Sequence, residues 1–424
     1  MKHSNKKNTI IYNRIISIIV GIVMFIGGFW CGSFYESNIN SKNKSDSDIK
    51  MSHNDKKEDI SDGKEELTQK ETTSKADEDV LEILDSMTLD EKIYQMFFVT
   101  PESITNVSQV VKAGSATKKA IEDYPVGGII YFSDNFQSID QTKEMIKNTQ
   151  SYSKIPLFIG VDEEGGIVQR LGSNPNMKTH KIEPMKEIAD NGDKEDAYNV
   201  GKTLAEDLKK LGFNLDFAPV ADLLINPDNT EIGNRSFGTD PQKVSIMVSG
   251  VVEGLEENGV SAVLKHFPGH GSTKDNSHNG YSKSTRTIEE LRENEFIPFK
   301  VGINSGVDFV MISHLTPVNV IDEDIPASLS KEIITDYLIN ELGFDGVVIT
   351  DALNMGAISK NYSVEESSVM AVKAGVDMLL MPTDIKKAHL AIKTAIKNKE
   401  ISEEQINKSV EKILKCKKDR GLLK

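Results

Sequence analysis

The stretch GFDGVVITDALNMGAI (343–358) sets the reading of this chain. Its core is a short apolar run, 346–350, followed at once by a carboxylate, Asp351. The same unit recurs. Apolar runs of strand length stand at 95–100, 128–132, 157–161, 215–219, 261–266, 308–313, 346–350 and 378–381. Between most of them lie longer amphipathic stretches with helical spacing, such as 202–211 and 330–342. Strands alternating with helices define parallel βαβ units. Eight such units in this length predict an α/β fold built as a single (β/α)8 TIM-type barrel. A doubly wound open sheet is the alternative. The absence of a Gly-rich phosphate loop after the first strand weighs against its nucleotide-binding form.

Polar residues cluster where the predicted strands end. Asp162 follows the third run, Asp222 the fourth, His314 the sixth and Asp351 the seventh, while Lys265 and His266 close the fifth. In a barrel, strand C-termini carry the chemistry. Taken singly, Asp351 before Ala-Leu-Asn reads equally well as a helix N-cap. Five strand ends marked in the same way point instead to an enzyme.

Composition narrows the class. The 424 residues carry 50 Lys+Arg against 65 Asp+Glu, a formal charge of −15, with 38% hydrophobic and 27% charged residues. That balance lacks the basic stripe of a nucleic-acid binder. Two cysteines, Cys31 and Cys416, exclude a disulfide framework and a Cys-rich metal centre.

The N-terminus has a different composition. The segment IISIIVGIVMFIGGFWCGSF (15–34) is free of charge and long enough to span a bilayer. Lys2, Lys6, Lys7 and Arg14 precede it, and the first charge after it is Glu36, an asymmetry that places the N-terminus inside. The expected organisation is a basic cytoplasmic N-terminus (1–14), a transmembrane anchor (15–35), a disordered polar linker (36–76) and a catalytic domain (77–424). The protein would then sit in the cell membrane by a single pass with its catalytic domain outside. A cleaved signal peptide, giving a secreted protein, is the competing reading, but no small-x-small site follows the run. Phe29-Trp30 is too bulky for a lipoprotein signal at Cys31. The linker has too few apolar residues to offset its ordering entropy. At the start of the folded region, Thr88 and Glu91 have capping-box spacing.

The segment KHFPGHGSTKDNSHNG (265–280) is the most distinctive in the chain. Its three histidines raise the question of a metal, but neither H-x-x-x-H spacing nor a Cys pair supports one, and Lys265 adds positive charge. No metal and no organic cofactor is expected.

KHFPGHG followed by SH resembles the signature of family 3 glycoside hydrolases, in the bacterial β-N-acetylglucosaminidase branch. GVDEEGGIVQRL (160–171), GFNLDFAPVADL (212–223), GNRSFG (233–238), PASLS (326–330), GFDGVVITDALNMGAI (343–358) and AGVDMLLMP (374–382) resemble that family in the same order. The resemblance implies that Asp351 is the catalytic nucleophile of a retaining mechanism and His278, on the loop after the fifth strand, its acid/base. A histidine suits that exchange because it gives and takes a proton near neutrality. The resemblance also makes Asp162, Arg170, Arg235, Lys265 and His266 sugar contacts. Asp222 reads as a structural acid at the barrel mouth. Only about forty residues follow the eighth strand, so the acid/base is expected from the barrel itself.

One position departs from the pattern. The branch has Asp-Ser-His on this loop, whereas this chain has Asn276-Ser277-His278. Asn276 can orient the imidazole through its amide oxygen but cannot offer it a negative charge. Three readings stay open: a working enzyme with an Asn-oriented histidine, one that uses Asp275, or a weakened enzyme that binds glycan. The resemblance implies a retaining exo-β-N-acetylhexosaminidase that removes terminal N-acetylhexosamine from cell-wall glycans or their fragments, peptidoglycan among them. A same-fold β-glucosidase or glycoside phosphorylase is the nearer alternative, and a non-catalytic glycan-binding surface protein the more distant one. The expected partners are thus a carbohydrate substrate and, through the N-terminal helix, a membrane. Oligomeric state is left unassigned.

Overall fold

The computed structural model describes residues 75–274 and 282–423. The segments assigned to the cytoplasmic N-terminus and the anchor, nearly all of the linker, and Asp275, Asn276 and His278 lie outside the described residues. Among the described residues no helix is long and apolar enough to cross a membrane.

All eight predicted strands are present, each close to its expected place. They are β1 (Phe97–Val99), β2 (Gly128–Ile130), β3 (Phe158–Val161), β4 (Leu215–Asp216), β5 (Ser261–Phe267), β6 (Phe309–Ile312), β7 (Val347–Thr350) and β8 (Leu379–Leu380). Most are shorter than the apolar runs that announced them, because the ends of those runs turn out of the sheet. Every pairing is parallel and the order round the sheet follows the sequence. β1 also pairs with β8, Phe97 opposite Leu379 and Phe98 opposite Leu380. A short seam between β7 and β8, Ile349 opposite Met378, leaves the barrel nearly closed. The first and last strands of an open doubly wound sheet would not be neighbours, so that alternative is set aside.

Small residues let large ones fill the barrel. A Cβ on Gly128 would lie 2.6 Å from the Phe98 ring, and one on Gly160 would lie 2.8 Å from Phe217. Phe98 and Phe217 meet edge to face with centroids 5.3 Å apart, as do Phe158 and Phe309 at 5.0 Å. The capping box is present, with Thr88 Oγ1 accepting from the Glu91 N–H at 3.2 Å and Glu91 from the Thr88 N–H at 2.8 Å.

The helix Glu403–Asp419 closes the end of the barrel away from strand C-termini. Its Lys417 is fully buried, donates to Gln95 Oε1 at 2.8 Å and lies 5.1 Å from the Phe158 ring centroid. Cys416, beside it, is a buried free thiol. Arg420 forks onto Asp308, with Nη2 to Oδ1 at 2.8 Å, and also contacts Glu256. Lys418 reaches Asp79 of the first helix, Lys75–Ser86, at 2.7 Å.

Candidate active site

The strand C-termini surround a cavity of about 280 Å³. Six residues singled out from the sequence line it together: Asp162, Arg170, Arg235, Lys265, His266 and Asp351. They come from the connections after β3 and β4, from β5 and from the end of β7. Parallel closure of the barrel brings them together although they span 162 to 351 in sequence.

Asp162 stands at the end of β3 with one cation on each oxygen. Lys265 Nζ is 3.0 Å from Oδ1 and Arg170 Nη2 is 3.3 Å from Oδ2. Arg170 lies over Phe132, 5.6 Å from the ring centroid, which orients its plane. Each carboxylate oxygen keeps a second lone pair for a sugar hydroxyl.

Lys265 is anchored a second time, on Glu164 Oε1 at 2.6 Å. Glu164 also takes a fork from Arg235, Nε at 2.7 Å and Nη2 at 2.8 Å. Burial opposes charge on Glu164, but Arg235 and Lys265 outweigh it and hold its carboxyl far below the usual range. Burial likewise opposes charge on Lys265, yet Glu164 and Asp162 keep its pKa raised. The result is a largely desolvated ion cluster, tightest at Glu164, Lys265 and Arg235, whose geometry is fixed before substrate arrives. The sequence reading overlooked Glu164. Its signal was the acid run of GVDEEGG, where Asp162 alone was taken as functional.

Asp222 acts by holding His266 and the loop beyond it. It is fully buried and accepts from the His266 ring Nδ1–H at 2.7 Å, so the ring presents Nε2 to the cavity. Nε2 is 3.5 Å from Arg235 Nη2. The peptide bond between Lys265 and His266 is cis.

Asp351 follows β7. Its backbone N–H donates to Ile312 O at 2.8 Å, and its Oδ1 accepts from the Ala352 N–H at 2.7 Å. Burial would raise its pKa, but His314, His266, the Ala352 N–H and Lys265 together hold the carboxyl below its ordinary value. It is therefore an anion at neutral pH, as a nucleophile must be. His314 donates from Nε2 to Ala352 O at 3.0 Å and accepts from the Ser328 hydroxyl at 2.8 Å, which steadies the turn that carries Asp351. Burial depresses the pKa of His314, against the opposing pull of Asp351.

Below the floor of the cavity lies a second acidic pair. The Glu163 carboxylate accepts from the N–H groups of Leu171 at 2.8 Å and Gly172 at 2.7 Å. The Glu163 N–H donates to Asp216 Oδ1 at 3.0 Å. Burial pushes Glu163 up to about 7 despite those donors, and raises Asp216 well above its usual value. Glu231 and His270 also line the cavity and were not proposed as sugar contacts from the sequence. Among the described residues no group of three or more His, Cys, Asp or Glu is placed to hold a metal ion.

This is a barrel mouth in which a half-buried, ionised carboxylate shares one cavity with a preorganised ion cluster. Residues 88–416 match the glycosyl hydrolase family 3 N terminal domain. The chain belongs to glycosyl hydrolase family 3, whose members are glycoside hydrolases acting on O-glycosyl bonds. It is 33% identical over 326 residues to beta-hexosaminidase A of Pseudoalteromonas piscicida, covering 70% of this chain and 54% of that protein. It is 33% identical over 284 residues to beta-hexosaminidase LpqI of Mycobacterium tuberculosis, covering 64% of this chain and 70% of that one. Among solved structures, the family 3 beta-N-acetylglucosaminidase of Paenibacillus sp. str. FPU-7 superposes with a TM-score of 0.74 at 36% identity. That match covers 80% of this chain and 63% of the Paenibacillus chain. The chain thus spans about half the length of the Pseudoalteromonas relative.

Proposed function

We propose that this chain is a retaining exo-β-N-acetylhexosaminidase that removes a terminal, non-reducing N-acetylhexosamine. The observation that carries the reading is the opposition, across one cavity, of ionised Asp351 to the Asp162–Lys265–Arg170 clamp. A sugar gripped at its far end by the clamp presents its anomeric carbon to Asp351. A cavity of about 280 Å³, large enough for about one sugar ring, suits exo action.

The reaction proceeds in two displacements. An Asp351 carboxylate oxygen attacks the anomeric carbon, the bond to the leaving oxygen breaks, and His278 gives that oxygen its proton. His278 then takes a proton from water, whose oxygen displaces Asp351 and restores the carboxylate. The names of the relatives support a hexosaminide as substrate. The apolar run 15–34 and the polar linker support an outward-facing, membrane-tethered enzyme acting on cell-wall glycans or fragments, including peptidoglycan-derived ones.

The test is hydrolysis of a chromogenic β-N-acetylglucosaminide by the full chain in mild detergent. Asp351→Asn is expected to lower turnover by at least about 10³-fold without unfolding the protein. Normal turnover by that variant sinks the reading. Product formed only when phosphate is added would reassign the chain as a phosphorylase, and turnover of β-glucosides alone as a glucosidase. Membrane fractionation with external protease tests the tether, which requires the catalytic domain to be accessible from outside.

A further inference from the structure

The cavity wall is two-sided. From β3 round to β7 it carries the polar groups Asp162, Arg235, His266 and Asp351, with Val168, Ile232 and Met311 set among them. Over β2 and β8 it is apolar, with Ile130, Phe132, Leu380 and Met381. A hexose held between Asp162 and Asp351 has its C2 and C3 substituents on one edge and its ring oxygen and C5 on the other. The hydrogen-bonding edge must face the polar arc. Within that arc Arg235 lies towards Asp162, on Glu164. His270 lies beside His266, with ring centroids 6.2 Å apart, and within the field of Asp351. His270 and its neighbour Glu231 therefore stand where the C2 substituent falls.

The two residues present acceptors. His270 is 2% exposed, and its Nε2 is buried without a hydrogen-bond partner among the described residues. The Thr273 hydroxyl donates to His270 O at 3.0 Å and lies 3.2 Å from His270 Nδ1. With the hydroxyl proton on that carbonyl, Nδ1 must donate to the hydroxyl oxygen, which leaves Nε2 with a lone pair. Burial lowers the pKa of His270, which favours the neutral ring with Nε2 as an acceptor. Glu231 Oε2 lies 3.8 Å from this nitrogen, too far for a direct bond but right for a donor set between them.

We infer that Glu231 and His270 form a seat for a protonated amine at C2, so that the enzyme also takes β-hexosaminides whose amine is not acetylated. This rests on the reading of Asp351 as the nucleophile that cleaves β-hexosaminides. An ammonium offers several donors and a positive charge to a carboxylate and an imidazole lone pair. An acetamide offers one N–H and sets a carbonyl oxygen among acceptors. A hydroxyl offers one donor and no charge.

The experiment compares aryl β-glucosaminide with aryl β-N-acetylglucosaminide on the full chain at about pH 6, below the range where such amines lose their proton. The free-amine substrate is expected to reach at least about one-tenth of the kcat/KM of the acetylated one. Glu231→Gln, which keeps shape and removes charge, is expected to shift the ratio of the two kcat/KM values at least about tenfold towards the acetylated substrate. Turnover of the acetylated substrate with a smaller wild-type ratio overturns this inference and leaves the hexosaminidase reading standing. So does a Glu231→Gln variant that depresses both substrates alike. Inactivity of the wild type on both overturns the two together. The wild-type ratio decides the matter without the variant if Glu231→Gln does not fold.

Discussion

One oxygen of Asp222 binds His266 twice, through the ring Nδ1–H at 2.7 Å and the backbone N–H at 3.2 Å. Its other oxygen accepts from the His270 N–H at 2.6 Å. A single buried carboxylate therefore fixes the tautomer of His266 and the course of the loop beyond it. Asn at this position would turn donors towards donors and release Nδ1. Asp222→Asn is expected to reduce kcat/KM by about 10–100-fold, mainly through KM, because His266 binds substrate in this scheme. Michaelis kinetics on the chromogenic substrate check it; an unchanged KM would show that His266 needs no such fixing.

His278→Ala tests the proposed acid/base, and a fall in kcat of about 10²–10⁴-fold is expected. Asn276→Asp tests the departure from the family pattern. A carboxylate beside an imidazolium favours the charged form and raises its pKa. The alkaline limb of the kcat profile should move to higher pH in Asn276→Asp. A profile identical to wild type would mean that position 276 does not touch His278.

Glu163 makes stability depend on pH. Its folded-state pKa, about 7, lies above the ordinary 4.5. The native state thus holds a proton that the unfolded chain has already released between those values. Stability contributed by the protonated group is complete below about 4.5 and is lost as pH rises to about 7. Wild type is expected to lose roughly 3 kcal/mol relative to Glu163→Gln over that window. Paired urea titrations at the two pH values measure it, and parallel curves would refute it.

Lys417 acts in the opposite sense. Burial lowers its pKa from 10.5 to about 7, so its folded-state proton is bound more weakly than in the unfolded chain. Its penalty is full below about 7 and fades as pH rises towards 10.5. Lys417→Met removes the buried amine and keeps a flexible apolar chain, at the cost of leaving Gln95 Oε1 without its donor. Net stabilisation of about 1–3 kcal/mol is expected near pH 6, read from thermal or urea unfolding. A destabilised variant would mean that the Gln95 bond outweighs the buried charge.

The strands were legible because each is a short apolar run with a polar residue at its end, and Asp162, Lys265 and Asp351 were legible for the same reason. Their boundaries were harder to read. The run read for β4 extends to Pro219, and the regular ladder stops at Asp216, yet pairing resumes beyond it: the Lys265 N–H donates to Pro219 O at 3.2 Å and Val220 bridges to Lys265. Glu164 was hidden because a second acid beside Asp162 has no periodic signature, and its partners lie 71 residues away at Arg235 and 101 residues away at Lys265. Asp222 was read as a structural acid at the barrel mouth, but nothing in its own neighbourhood of sequence announces its partner His266, 44 residues on. Lys417 was invisible as a buried residue because lysine on an amphipathic helix ordinarily faces water.

The contacts of Lys418 with Asp79 and of Arg420 with Asp308 tie the last helix to the first and to the foot of β6. The floor of the barrel is therefore assembled from the last stretch of the domain to be translated. Residues emerging earlier cannot bury Gln95 or pair Asp308 until that stretch arrives, so the barrel cannot finish folding vectorially from its N-terminal side. A chain stopped before Lys417 would be left with an open-ended, protease-sensitive barrel.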